Sequence, residues 1–169
     1  GVFFGGDFSL ELREDWTFGM AFQASKRFSK IQTRRLPVKK ENHLFGATTG
    51  DVDVDQGGTV VWNPYFRFGD LRDGLGLHLG YTLASHSGDA WADKRADKTI
   101  TIDLNGIYPA SQWNAEYLAL HVFYDSGKVT KKRSIQPVIT VNWDIPVKFL
   151  AAKEVSKTHK IAVGIAFNF

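Results

Sequence analysis

Side chains on a β-strand leave alternately on opposite faces, and this chain holds to a period of two along most of its length. Val2, Phe4, Gly6, Phe8, Leu10 and Leu12 alternate with smaller or polar residues. So do Trp16, Phe18, Met20, Phe22 and Ala24, then Val60, Trp62, Pro64, Phe66 and Phe68. The pattern returns in Leu75, Leu77, Leu79, Tyr81 and Leu83, in Ile100, Ile102, Leu104 and Tyr108, and in Ile135, Ile139, Val141, Trp143 and Ile145. It closes with Ile161, Val163, Ile165, Phe167 and Phe169. Residues 113–124 add a strand of less certain phase, with Leu118, Leu120 and Val122 as its apolar side. No stretch of useful length repeats at 3.6 residues, so no helix is expected. The reading is all-β and antiparallel, with eight strands in a single domain over residues 1–169.

Alternation alone does not say which face meets water. A soluble sandwich turns its apolar face inward, whereas a membrane barrel turns it to lipid. Composition removes other classes. The 169 residues contain no Cys, which excludes disulfides, thiolate metal sites and a Cys nucleophile. A net charge of +3 is too even for a surface devoted to nucleic acid. No apolar run approaches the roughly 18–20 residues of a spanning helix.

Three features favour the membrane barrel. The runs, about 10–13 residues, match the ~9–11 of a tilted spanning strand. Trp16, Trp62, Tyr81, Tyr108, Trp113, Tyr124, Trp143 and Phe169 lie near run ends, where interfacial girdles form. The third is the ending: Phe169 follows Phe167, Ile165, Val163 and Ile161 at every second position, with Gly164 six from the end. This resembles the C-terminal assembly signal of bacterial outer-membrane β-barrel proteins, with Gly164, Phe167 and Phe169 in its signal positions. Ala162 stands where that signal carries a polar residue. The resemblance implies a transmembrane β-barrel in the bacterial outer membrane, handled by the barrel-assembly machinery during biogenesis. A soluble ligand-binding β-barrel is the competing reading, supported by Pro64 and Pro137, each of which removes a ladder hydrogen bond.

Connection lengths alternate: 13–15, 69–74 and 109–112 are short, while 29–58, 86–97 and 125–133 are longer and are expected outside. With eight strands, however, the last one would end outside, against the habit of the class. A further strand over Val147 to Ala152, with an upward strand missing before Gly1, would repair this. Ten or more strands, or membership of a larger barrel, is therefore the alternative count.

The long outer loop 29–58 follows directly on Lys26 and Arg27. Together they carry Lys26, Arg27, Lys30, Arg34, Arg35, Lys39 and Lys40 on one arm and Asp51, Asp53 and Asp55 on the other. Arms 26–36 and 51–62 are expected to pair as a hairpin with Lys and Arg facing Asp. Arg34, Arg35, Lys39 and Lys40 are the candidates for gripping lipopolysaccharide phosphates, since a guanidinium binds phosphate through two parallel hydrogen bonds. A second basic cluster is Lys128, Lys131, Lys132 and Arg133. The Asp triplet fails as a calcium loop, with neither the Gly nor the Glu such a loop needs. Ser85, His86, Ser87 and Asp89 place hydrolase-type residues at a rim, but Ser87 and His86 would point to opposite faces, and the loop reading prevails. His43, His78, His86, His121 and His159 show no metal-ligand spacing. No catalytic residues, metal or cofactor are assigned. Asp7, Glu11, Arg67 and Asp103 are expected as charges of the barrel lumen. The function expected is a non-enzymatic outer-membrane barrel whose loops meet lipopolysaccharide, other outer-membrane lipids or external surfaces, with no nucleic-acid partner. A porin-like channel for small polar solutes is the alternative.

Overall fold

A computed structural model describes residues 1–39, 48–129, 136–150 and 158–168. Their strands are β1 (Val2–Arg13), β2 (Trp16–Lys26), β3 (Lys30–Leu36), β4 (Thr48–Asp55), β5 (Thr59–Arg72), β6 (Leu75–His86), β7 (Ala90–Asp93), β8 (Trp113–Asp125), β9 (Gln136–Pro146) and β10 (Lys160–Asn168). Two short helices, α1 (Ile107–Ser111) and α2 (Ser126–Val129), complete the set. The expected all-β antiparallel class holds; the expected eight strands do not. Seven strands form one sheet in the order β1-β2-β5-β6-β8-β9-β10, and three form another in the order β3-β4-β7. Among the described residues no pairing joins β1 to β10.

Contacts divide the chain into two compact units. The larger comprises Gly5–Gln23, Val61–Ala84 and Asn114–Phe169, and the smaller comprises Gly1–Phe4, Ala24–Val60 and Ser85–Trp113.

In the larger unit consecutive strands are neighbours, as tight antiparallel connections favour. The β5–β6 turn is Asp73-Gly74, with φ of +46° and +82°. Positive φ at both central residues is what a two-residue hairpin loop requires, because its twist then matches that of the strands. The Asp70 carboxylate accepts from Gly74 N at 3.0 Å. The register of β8, β9 and β10 sets Val122 opposite Val141 and Val141 opposite Val163. It likewise aligns Leu120, Trp143 and Ile161. A slip by one residue would move every one of these side chains to the other face.

The turn ends correct the expected loop sidedness. Gly69 N donates to Asp15 O at 2.6 Å, and Asp125 N to Gly74 O at 2.9 Å. The connection after β8 therefore begins beside the short turns at 13–15 and 73–74, not opposite them as expected. Since β9 and β10 follow antiparallel, β10 runs toward this same end. The parity conflict disappears because residues 99–108 form no strand. Residues 147–150 form none either, and the rest of the supplementary strand expected over Val147 to Ala152 lies outside the described residues.

The smaller unit holds the buried apolar core: Leu36, Val52 and Val54, with Trp91, Ile102 and Leu104 packed against it. Residues 30–36 and 48–55 pair as the expected hairpin, but the second arm stops at Asp55 and does not extend to residue 62. Ile102 makes only an isolated bridge to Val38. The alternation of Ile102 and Leu104 is thus answered by packing on β3 and β4 rather than by a strand, while Ile100 stays exposed. Asp103, expected in the lumen, belongs to this segment: its N donates to Pro37 O at 2.9 Å, and its carboxylate accepts from Asn105 N at 3.1 Å. It is outside the seven-stranded sheet.

Candidate functional site

The seven-stranded sheet has two unlike faces. One carries Phe8, Leu10, Phe22, Phe66, Leu79, Val141, Val163, Ile165 and Phe167, all among the exposed large hydrophobic residues. No buried residue of the apolar core belongs to this sheet. At the short-turn end Trp16 meets Phe68 edge-on at 5.1 Å, and the Arg13 guanidinium stands 5.5 Å from the Trp16 centroid. Elsewhere on this face Trp62 meets Tyr81 edge-on at 6.2 Å, and Trp143 Nε1 donates to His159 Nδ1 at 3.2 Å. Phe18, Pro64, Phe66, Phe68, Leu79, Tyr81 and Leu118 help line an apolar hollow of about 410 Å³.

One residue of that face breaks the pattern. Glu116, in phase with Leu118 and Leu120, is 1% exposed. Its carboxylate accepts from Tyr81 Oη at 2.6 Å, from Phe149 N at 2.8 Å and from Leu150 N at 3.1 Å. Val147 N donates to its backbone carbonyl at 3.1 Å. A carboxylate removed from water is tolerated where donors replace hydration, and here they fasten residues 147–150 over β8. The sequence signal was a Glu at an apolar-phase position, and the uncertain phase of 113–124 hid it.

The opposite face is polar and built around small residues. A Cβ at Gly19 would collide with the Tyr65 ring, and one at Gly76 with the Phe123 ring. Glycine at these two positions lets the aromatic rings lie flat across the neighbouring strand. Tyr65 Oη donates to Asp7 at 3.3 Å, and its ring stacks on His78 at 5.1 Å and 14°. His78 and His121 lie 6.2 Å apart, centroid to centroid, and Arg67 stands 5.7 Å from the Phe123 centroid. Asp7 and Arg67 thus share this face, and Glu11 is in phase with Asp7 on β1. Among the described residues Arg67 forms no ion pair with Asp7, Glu11 or Asp103. The histidine pair escaped sequence reasoning because it depends on the register between β6 and β8.

In the smaller unit the basic candidates diverge. Arg34 lies opposite Gly50 and Arg35 opposite Thr49, so the two leave on opposite faces of β3. Arg34 bonds Gln32 instead. Among the described residues the expected Lys/Arg–Asp ladder reduces to one ion pair, Lys26 to Asp55 at 3.4 Å, with Arg27 on Gln56 and Thr33 on Asp51. Lys39 N donates to Thr101 O, while Lys40, Lys131, Lys132, Arg133, His43 and Phe169 lie outside the described residues. The arrangement does not gather Arg34 and Arg35 on one phosphate.

Arg95 covers Gly50 and grips Asp93 in a fork, with Nε on Oδ1 and Nη2 on Oδ2, each at 3.0 Å; Nη2 also reaches Ile100 O at 2.8 Å. These hydrogen bonds from Arg95 hold the Asp93 carboxyl below its usual range, and bonds from Thr99 do the same for Asp97. A carboxylate with a depressed folded-state value stabilises the fold fully above its unfolded value, about 3.9. That contribution is lost as pH falls through the lower folded value. Amide protection factors at residues 93–100, corrected for the intrinsic pH dependence of exchange, should therefore fall below about pH 4 and be unchanged between about pH 5 and 7. Equal protection throughout would count against the Asp93–Arg95 fork as a fastener.

The rim histidine does find partners, but not the serines beside it. His86 Nδ1 lies 2.9 Å from Thr59 Oγ1 and Nε2 lies 3.3 Å from Asp89 Oδ1, with the ring stacked on Trp113 at 5.5 Å. Hydroxyl, imidazole and carboxylate are thus in line. The neighbouring N–H groups are already engaged: Gly57 N donates to Asp89 at 2.8 Å and Gly58 N to Ser87 Oγ at 2.8 Å. Together these bonds join residues 57–59 to residues 86–89. Among the described residues no group of three or more His, Cys, Asp or Glu could hold a metal ion.

No protein family, no curated protein and no solved structure matches the chain.

Proposed function

We propose that this chain is an integral β-barrel protein of the bacterial outer membrane, non-enzymatic, with its seven-stranded sheet as barrel wall. One observation carries the reading: among the described residues, the seven-stranded sheet has a broad exposed apolar face that only residues 147–150 cover, over β8. Val163 is 69% exposed and Ile165 61%. Exposed apolar patches of such extent mark interaction or membrane surfaces, and each large side chain of this kind gains about 1.5–3 kcal/mol on leaving water. Lipid provides that environment across the length of these strands. The polar face then lines the interior. The inserted segments with Lys26, Arg27, Lys30, Arg35 and Lys39 meet lipopolysaccharide or other external surfaces through electrostatic contact.

A second reading, a passage for small polar solutes, is favoured by a specific feature: a cavity on the polar face between Arg67, His78 and His121. Fractionation tests the first reading. The protein should sediment with outer membranes, resist extraction by high salt and need detergent for solubility. Recovery as a detergent-free soluble protein would overturn the membrane assignment. Ion-selective conductance of the purified protein in planar bilayers would establish the second reading.

A further inference from the structure

We propose that Arg67, His78 and His121 form a binding site for a small oxyanion of the inorganic phosphate class on the polar face of the seven-stranded sheet. The three side chains come from adjacent strands β5, β6 and β8 and border a cavity of about 300 Å³, completed by Phe123, Val138 and Thr140. That volume is at the small end of ligand pockets.

The donors point to an anion. His121 Nε2 is buried and has no hydrogen-bond partner, a state that folded proteins rarely leave unresolved. Arg67 forms no ion pair with a carboxylate among the described residues; its contact is with the Phe123 ring. Thr140 Oγ1 has only a long bond, 3.4 Å, to Gly164 O, so its hydroxyl can turn to a ligand. The acids of this face are held apart. Asp7 takes the Tyr65 hydroxyl, and the Tyr65 ring lies against His78. Glu11, further along β1, does not line the cavity. A metal cation is disfavoured, because the permanent guanidinium charge borders the cavity and no carboxylate does. An oxyanion accepts from all three groups at once, as charge-assisted hydrogen bonds.

The groups facing the two imidazoles set the pH dependence. From β5 these are Tyr65 and Arg67, from β8 Phe123, and from β9 Val138 and Thr140, with Asp7 reaching them only through Tyr65. Arg67 is thus the one permanent charge at the cavity. A protonated imidazole carries a positive charge and two N–H donors. An anion therefore binds the protonated form more tightly, and binding strengthens as pH falls. The site lies on one face of one sheet whatever covers the other face, so it does not depend on the membrane assignment.

The test is titration of the detergent-purified full chain, carrying ¹⁵N-labelled histidine, with inorganic phosphate, followed by NMR of the imidazole signals. Two histidines, identified by His78→Gln and His121→Gln, should shift saturably, and the others should not. Affinity should rise steadily as pH is lowered from about 8 to about 5. Arg67→Met should weaken binding about tenfold or more, with Arg67→Lys restoring part of it. Tryptophan emission and resistance to unfolding on gels identify variants that keep the fold, and the wild-type titration decides the matter if none does. No saturable shift at the two histidines, or unaltered affinity in folded Arg67→Met, would overturn the site.

Discussion

Val163→Arg should destabilise the bilayer-embedded protein by about 2–4 kcal/mol, the range for a cation at the lipid face near the midplane of an outer-membrane barrel. Val163 lies mid-strand on β10, opposite Val141, which in turn faces Val122, so the substitution lands in a row of three valines. At 69% exposure there is room for the arginine, and steric crowding cannot produce the loss. In water the same change would alter stability by less than about 0.5 kcal/mol, as exposed substitutions usually do. Equilibrium urea unfolding in phosphatidylcholine vesicles gives the value. A neutral result would mean that this face does not meet hydrocarbon.

Glu116→Ala should cost about 2–3 kcal/mol. The substitution leaves Tyr81 Oη, Phe149 N and Leu150 N without their acceptor, and because these donors are only part-buried each loss lies toward the low end of the about 1–3 kcal/mol of a stranded buried donor. Residues 147–150 should then lift from β8 and free the backbone around the already exposed Lys148 for trypsin, while the seven strands stay paired. Glu116→Gln should fall between, since the amide offers one oxygen in place of two and brings donors that need acceptors of their own. Thermal unfolding in detergent, with limited trypsin digestion, measures both effects. A Glu116→Ala protein as stable and as protease-resistant as the parent would show that the Tyr81–Phe149 ring contact, at 6.1 Å, suffices to hold the segment.

Seven of the eight alternating runs are strands of the larger sheet, with ends close to those the pattern indicates. The eighth, from Ile100 to Tyr108, has the same pattern and a different cause. Ile102 and Leu104 cover Leu36, Val52 and Val54, and Gly106 and Pro109 then belong to a turn and a short helix. Period-two apolarity reports which side of a segment is buried, and an extended cover segment satisfies it as well as a strand. That single misassigned run also produced the apparent conflict between the chain's last strand and the loop order. With it removed, β10 runs toward the short-turn end.

The candidate groups divide in the same way. That Asp7 and Arg67 share a polar face, with Glu11 in phase with Asp7, is legible in the sequence, because facing is a local property with a two-residue period. Asp103 was misplaced because its supposed strand does not exist. Which polar groups meet is another matter. His78 reaches His121, Glu116 reaches Tyr81 and the backbone at 149–150, and His86 selects Thr59 over the adjacent serines. Each of these meetings depends on the register between segments far apart in the chain, and no local pattern encodes that offset. Alternation and strand length are local steric and solvation properties, so the sequence by itself determined the all-β class, the two unlike faces and most strand positions. Strand number, loop sidedness and the juxtaposition of Arg67, His78 and His121 were decided by tertiary structure, because each depends on how distant strands align and on which apolar surfaces find cover.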